Sequence, residues 1–462
     1  MRDVAARHKD KAKAYRGPVA DGLRDVRAFF WTVQRPPVPH PAFLRNATLS
    51  SFVERDSRRA VAPTSGKCRH DGCFVNNAAS PRRFRYLRRT FRPPLLLAAL
   101  ALLALPAAAS LDGAIGAKLF KRNWVSAPSS TKSNDGLGPL FAATSCAGCH
   151  PGGGAGARPV VRFGQGLAGD PVYGRELQSF GVLGLLGEGE AKIGYEAGRT
   201  SITLDKLADG PLDPATRVGI RQATALVGLG EAERLGDDAI LAGENGQGRH
   251  GRAHRLADGR IGRFGWKATT ASLADQTALA FSLDLGLSTA QFPDPFGDCT
   301  ARESACRAMP TGSDHGEPEI PAYIVAALAA LVGDLPAPRP ASTAGAEAFA
   351  ATGCAACHRP VLRDSKGNQA ALFSDLLLHD MGMDLDDGIA EAGAASSEWR
   401  TAPLIDLGSK LSQGLRLLHD GRAATIEEAI AAHGGDGDEA RRNFAAAPPA
   451  ERAALLSYLR GL

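Results

Sequence analysis

Methionine is scarce: the chain has four in 462 residues, with none between Met1 and Met309. Few thioether ligands are therefore on offer to a metal. Aromatic residues make up 6%, and no long alternation of Val, Ile and Thr is evident, so a strand-dominated architecture is not expected. No apolar run reaches the roughly 20 residues of a bilayer-spanning helix; the longest, 95–109, has 15, which argues against a membrane anchor. Gly (53) and Pro (29) are abundant instead and predict long irregular connections. The expected fold is mainly α, and the length allows two or three domains.

The formal charge of +5 conceals an asymmetry. Residues 1–92 contain 21 Lys/Arg and 7 Asp/Glu, leaving 33 basic and 42 acidic residues, a balance of −9, for the remainder. The basic isoelectric point therefore gives no reason to expect a nucleic-acid partner. An Arg-rich stretch at 82–92, the apolar run and Pro106-Ala-Ala-Ala-Ser110 follow the order of a secretory signal peptide cleaved after Ala109. Residues 87–109 are read as that signal and 1–86 as a mis-annotated or disordered leader, with translation starting near Leu87. Cys68, His70 and Cys73 lie in the leader and are given no role.

Four of the remaining cysteines form Cys146-Ala-Gly-Cys149-His150 and Cys354-Ala-Ala-Cys357-His358. Each is the attachment sequence of a c-type haem: two thiols three residues apart reach the two vinyl groups, and the adjacent His lies under the iron. The flanks repeat too, as Phe141-Ala-Ala-Thr-Ser145 and Phe349-Ala-Ala-Thr-Gly353, which points to a duplicated unit. A thioredoxin-like dithiol needs a strand–turn–helix setting, absent from both sites. Two covalently bound c-type haems (iron) are the expected cofactors, so export by the general secretory route is preferred over the twin-arginine reading of Arg88-Arg89.

Two cytochrome domains follow, 110–337 enlarged by an insertion and 338–462, the second expected to open with a helix at 344–351. The closing helices are expected at 319–332 and 450–462, the latter with Leu455, Leu456 and Leu459 on one face. The Pro-rich linker near 336–345 marks the boundary. Cys299 and Cys306, in a Pro/Gly/Asp-rich loop, are expected to form a local disulfide.

Function turns on the second axial ligand of each iron. The sequence offers His250, His254, His315, His379, His419, His433, Met309, Met381 and Met383. Met381 stands out because two of the three downstream methionines cluster at His379-Asp-Met381-Gly-Met383; the alternative is ordinary packing. Arg249, Arg252 and Arg255 are candidate counter-charges for haem propionates, and Trp266 is a core residue or an electron relay.

Phe120-Lys-Arg-Asn-Trp124, Gly262-Arg-Phe-Gly-Trp266-Lys-Ala268, Asp375-Leu-Leu-Leu-His379-Asp-Met381 and His419-Asp-Gly-Arg422 resemble the di-haem oxidoreductase family, often labelled thiol oxidoreductases. More distantly, Arg400-Thr-Ala-Pro403-Leu, His419-Asp-Gly421 and Thr425-Ile-Glu-Glu-Ala429 are similar to a run in bacterial di-haem cytochrome c peroxidases. In those enzymes the next helix carries a Met or Tyr distal ligand for the carboxy-terminal haem; the matching place here is His433. The resemblance implies His433 as distal ligand, or Met381 with a structural His433, and the first is preferred.

The expectation is a periplasmic bacterial di-haem cytochrome passing electrons between its haems and a small redox-carrier protein, with peroxidase-type chemistry at one iron. Cys146, Cys149, Cys354 and Cys357 form the thioethers, and His150 and His358 are proximal ligands. The alternatives are a pure electron carrier with two six-coordinate haems and, behind it, a thiol–disulfide oxidoreductase. Membrane contact is expected only during export.

Overall fold

The computed structural model describes residues 111–462 apart from 132, 157, 167, 197, 245–250, 314–315 and 341–342, all within the unit Pro93–Leu462. The leader, the signal peptide, His250, Arg249 and His315 lie outside the described residues. No described helix is long and apolar enough to cross a membrane.

The mainly α expectation fails. Among the described residues 30% are helical and 17% are strand, with the strands in small sheets. Those sheets are all two-stranded and antiparallel. The longest pairs Glu190–Glu196 with Arg199–Asp205. Its first strand alternates: Ala191, Ile193 and Tyr195 are partly buried, with Ala191 and Ile193 on a core formed by Val161, Phe163, Tyr173 and Leu177, as one half-buried sheet face requires. Gly198, at φ +73°, makes the turn. The pattern uses Ala, Gly, Lys and Glu rather than a Val/Ile/Thr run. Gly and Pro elsewhere keep most helices short.

Three helical expectations hold. Leu111–Phe120 packs on Ala322–Asp334 so closely that a Cβ on Gly116 would lie 2.1 Å from the Ala327 carbonyl oxygen. Ala346–Ala351 opens the second haem motif. Pro449–Arg460 closes the chain and buries Leu455, Tyr458 and Leu459; Leu456 is only partly covered. Tyr458 and Phe373 meet the Phe349 ring edge-on at 5.7 and 6.1 Å. Cys299 and Cys306 are disulfide-bonded.

Residues on either side of position 337 are tied together. Arg252 holds Glu398 through Nε at 2.6 Å and Nη2 at 2.5 Å. Arg221 pairs with Asp387 and Glu391. The fully buried Lys267 donates to the carbonyls of Ala395, Ser396 and Glu398 at 2.8–2.9 Å, which satisfies its three protons.

Candidate functional site

Both Cys-x-x-Cys-His motifs wind into a single helical turn. Ser145 caps the first by accepting from the Gly148 amide at 3.2 Å, and the His150 amide donates to the Cys146 carbonyl at 2.8 Å. In the second the His358 amide donates to the Cys354 carbonyl at 3.0 Å. This turn puts each His directly after its second Cys on one side of the chain.

The two motifs open onto one cavity of about 460 Å³, whose lining includes Cys146, Cys149, His150, Cys354, Cys357, His358, Met381 and His433. The tertiary structure therefore brings together every expected attachment and axial residue. The volume falls within the roughly 300–1,000 Å³ of cofactor sites, and the walls are largely apolar. The residues fit haem: paired thiols, an adjacent His and an apolar enclosure occur at both motifs.

The His rings are held by their Nδ1 atoms. Nδ1 of His358 lies 3.0 Å from the Phe373 carbonyl, and Nδ1 of His433 lies 2.7 Å from the Ala429 carbonyl, an arrangement that leaves Nε2 for a metal. Nδ1 of His150 lies 3.2 Å from the Gly154 carbonyl. Burial pushes His150 below the ordinary imidazole range, against the Gly154 carbonyl. Burial and then the neighbouring His433 take His358 down to about 4, and burial lowers His433. Neutral imidazole is the ligating form. The His358 and His433 rings stand 6.4 Å apart between centroids. Met381 packs beside His433: a Cβ on Gly437 would lie 3.1 Å from the Met381 Cε and from the His433 Cβ.

Of the other histidines, His379 and His419 also line the cavity, and His254 does not. Both nitrogens of buried His254 lie 2.8 Å from carbonyl oxygens, of Lys267 and Ala392, and its segment is a strand. His379 lies between Asp375 (2.9 Å) and Asp436 (3.3 Å). Burial opposes its charge, but the hydrogen bonds to Asp375 and Cys357 outweigh that and carry it up to about 10. His419 stacks on Trp399 at 3.7 Å between centroids and 11°, and its buried Nε2 has no hydrogen-bond partner among the described residues. Lys267 Nζ also lies 3.7 Å from the centre of the Trp399 ring. Trp266 lines the same cavity and donates to the Gln222 carbonyl at 2.7 Å.

Sequence reasoning missed a buried acid pair. Glu176 and Asp284 line the cavity, with Glu176 wholly buried. No amide, hydroxyl or guanidinium among the described residues hydrogen-bonds the Glu176 carboxyl. Its partner is the Asp284 carboxyl, and Arg162 Nε stands 3.4 Å from Oε2. Burial, then Asp284, raises Glu176 well above the carboxylate range; burial takes Asp284 to about 6 against the pull of Arg162. The two acids are over 100 positions apart in sequence, and no local motif announces them. Burial and the same Asp284 push the thiols of Cys146 and Cys149 up to about 12 and about 11. A dithiol reductant needs the opposite shift.

The propionate expectation for Arg252 and Arg255 is not met. Arg252 is bound to Glu398 and Arg255 to Glu244.

No curated protein matches the chain. Among solved structures it is similar to a hydrazine synthase from Kuenenia stuttgartiensis, at 14% identity and a TM-score of 0.29, over 83% of this chain and 100% of that one. The sequence family described as "Di-haem oxidoreductase, putative peroxidase" matches residues 190–462. That span is more than half of the chain and includes the second Cys-x-x-Cys-His motif, so the protein belongs to the di-haem oxidoreductase family.

Proposed function

We propose that the protein is an exported di-haem c-type cytochrome that passes electrons between an external carrier and its own haems, and reduces hydrogen peroxide at the first one. One observation carries the reading: the two motifs have different surroundings. At the second, His358 and His433 face each other at 6.4 Å. Two imidazoles on opposite sides of one metal need about 6.3 Å between centroids, given metal–nitrogen bonds of ~2.0 Å. At the first, Asp284 acts on the thiols of both Cys146 and Cys149, and Glu176 on that of Cys149, so the acid pair lies beside this motif.

Haem at these motifs supplies an iron that takes up and releases single electrons. The chain's own residues do the rest. His358 and His433 would together hold the group at the second motif, and a metal held by two protein ligands would suit electron transfer. Glu176 holds a proton at its carboxyl, shared with Asp284, inside a cavity of low polarity. Arg162 keeps positive charge beside that carboxyl. Peroxide reduction consumes two electrons, from the carrier, and two protons to give two waters; the acid pair is placed to deliver protons to the first site.

The −9 balance after residue 92 suits docking to a small basic carrier, with association that weakens as salt rises. Export to the periplasm by the secretory route follows from the signal-like segment 87–109 and from the haem chemistry.

Electron paramagnetic resonance of the oxidised and half-reduced protein, with peroxide turnover on the same samples, tests the reading. A high-spin signal from one iron together with turnover is expected. Two low-spin irons inert to peroxide would make the protein an electron carrier only.

A further inference from the structure

Of the lysines and arginines on the cavity wall, Arg158 is exposed to solvent. Arg162, Arg221 and Arg441 each have a carboxylate partner: Glu176, the Asp387–Glu391 pair, and Asp438. Arg400 and Lys410 line the same cavity and have no carboxylate at ion-pair distance among the described residues. Arg400 is 5% exposed, and its guanidinium donates only to backbone carbonyls, of Gly265 at 2.8 Å and Thr401 at 3.1 Å. The side chain of the partly buried Lys410, on the helix Leu407–Ser412, has no hydrogen-bond or ion-pair partner among the described residues. Its helix packs with Phe349, Leu417, Leu455 and Leu459, and Cys354 lies against that core.

A cation withdrawn from water and left without an anion is costly. Burial lowers Arg400 to about 10 against the pull of Asp375, and lowers the partly buried Lys410 to about 8. An anion inside the cavity would relieve both. Haem carries two carboxylate arms, which need charge-assisted donors in an apolar site. Both cations lie near the second motif. Thr401, which follows Arg400, accepts from Ser374 at 2.7 Å, and Ser374 follows the Phe373 that anchors His358.

We propose that Lys410 and Arg400 are the counter-charges of the carboxylate arms of the haem on Cys354 and Cys357, and that they set its reduction potential. The proposal rests on the haem reading above. It replaces Arg252 and Arg255, which the structure commits to Glu398 and Glu244. A fixed positive charge favours the reduced, less positive haem, so removing it lowers the potential.

The test is a redox titration of the holoprotein and its Lys410→Met, Lys410→Arg and Lys192→Met variants, each first stained for covalent haem. Lys192 serves as control because it pairs with Asp205 on the exposed hairpin. The expected result for Lys410→Met is a tenfold shift toward oxidised second haem at fixed potential, equal to about 59 mV, with Lys410→Arg and Lys192→Met near the parent value. An unmoved potential in Lys410→Met with two haems bound overturns the proposal, as does an equal drop in Lys410→Arg, which would mean packing rather than charge. Resonance Raman propionate bending modes of Lys410→Arg give a second readout should Lys410→Met fail to fold; modes identical to the parent's overturn it too. A chain that binds no haem overturns the proposed function instead.

Discussion

His433 stands with its ring centroid 6.4 Å from that of His358, each ring tethered through Nδ1 to a backbone carbonyl. Removing one ring opens one side of the site while the other stays anchored. In His433→Ala the second haem is expected to change from low-spin to high-spin absorption, and added imidazole to restore the parent spectrum. A low-spin spectrum in the variant without imidazole would show that another residue, Met381 foremost, holds the iron.

Covalent attachment is countable. Cys354→Ser/Cys357→Ser is expected to retain one haem per chain through acid–acetone extraction, and Cys146→Ser/Cys149→Ser likewise, against two in the parent. Pyridine haemochrome absorbance per chain measures it. Loss of all haem from the parent on extraction would end the c-type assignment.

A second acid pair predicts how stability depends on pH. Glu188 and Glu303 are each 1% exposed and hydrogen-bond each other. Burial raises Glu303 from 4.5 to about 7 and Glu188 to about 11. The folded state thus holds protons that the unfolded chain releases, and the stabilisation is complete below about pH 4.5 and lost as pH rises through about 7. Glu188→Gln keeps a donor to Glu303 but removes one of the two carboxyls that hold a proton only in the folded state, so the decline between pH 5 and 7 in chemical denaturation should shrink. An unchanged slope would contradict this account.

The disulfide closes a loop with a sequence separation of 7. Cys299→Ala/Cys306→Ala is expected to lose about 2–3 kcal/mol, read as a lower denaturation midpoint, with haem content preserved because neither residue lines the cavity. A concurrent loss of haem would show that the loop supports the haem site.

Local chemistry was readable in the sequence. The Cys-x-x-Cys-His motifs need only a helical turn, so spacing alone identified them, and the Cys299–Cys306 pair and the helices Ala346–Ala351 and Pro449–Arg460 were equally local. The hairpin of Glu190–Glu196 with Arg199–Asp205 was missed because only its second strand carries Thr and Ile together, while the first relies on Ala, Gly, Lys and Glu, whose weak strand preference pairing and burial override. The role expected of Arg252 and Arg255 failed because an arginine's charge is visible in a sequence while the carboxylate that claims it is not.

By itself the sequence determined the two Cys-x-x-Cys-His motifs, the local disulfide and the charge asymmetry, because each depends on neighbouring residues or on composition. Only the tertiary structure decided that both motifs share one cavity, that His433 faces His358 while Met381 packs beside it, and that Glu176 meets Asp284. Those outcomes depend on burial and on contacts between distant segments. A carboxyl becomes an acid, or a lysine an unmet charge, only when the fold has removed its water and chosen its neighbours.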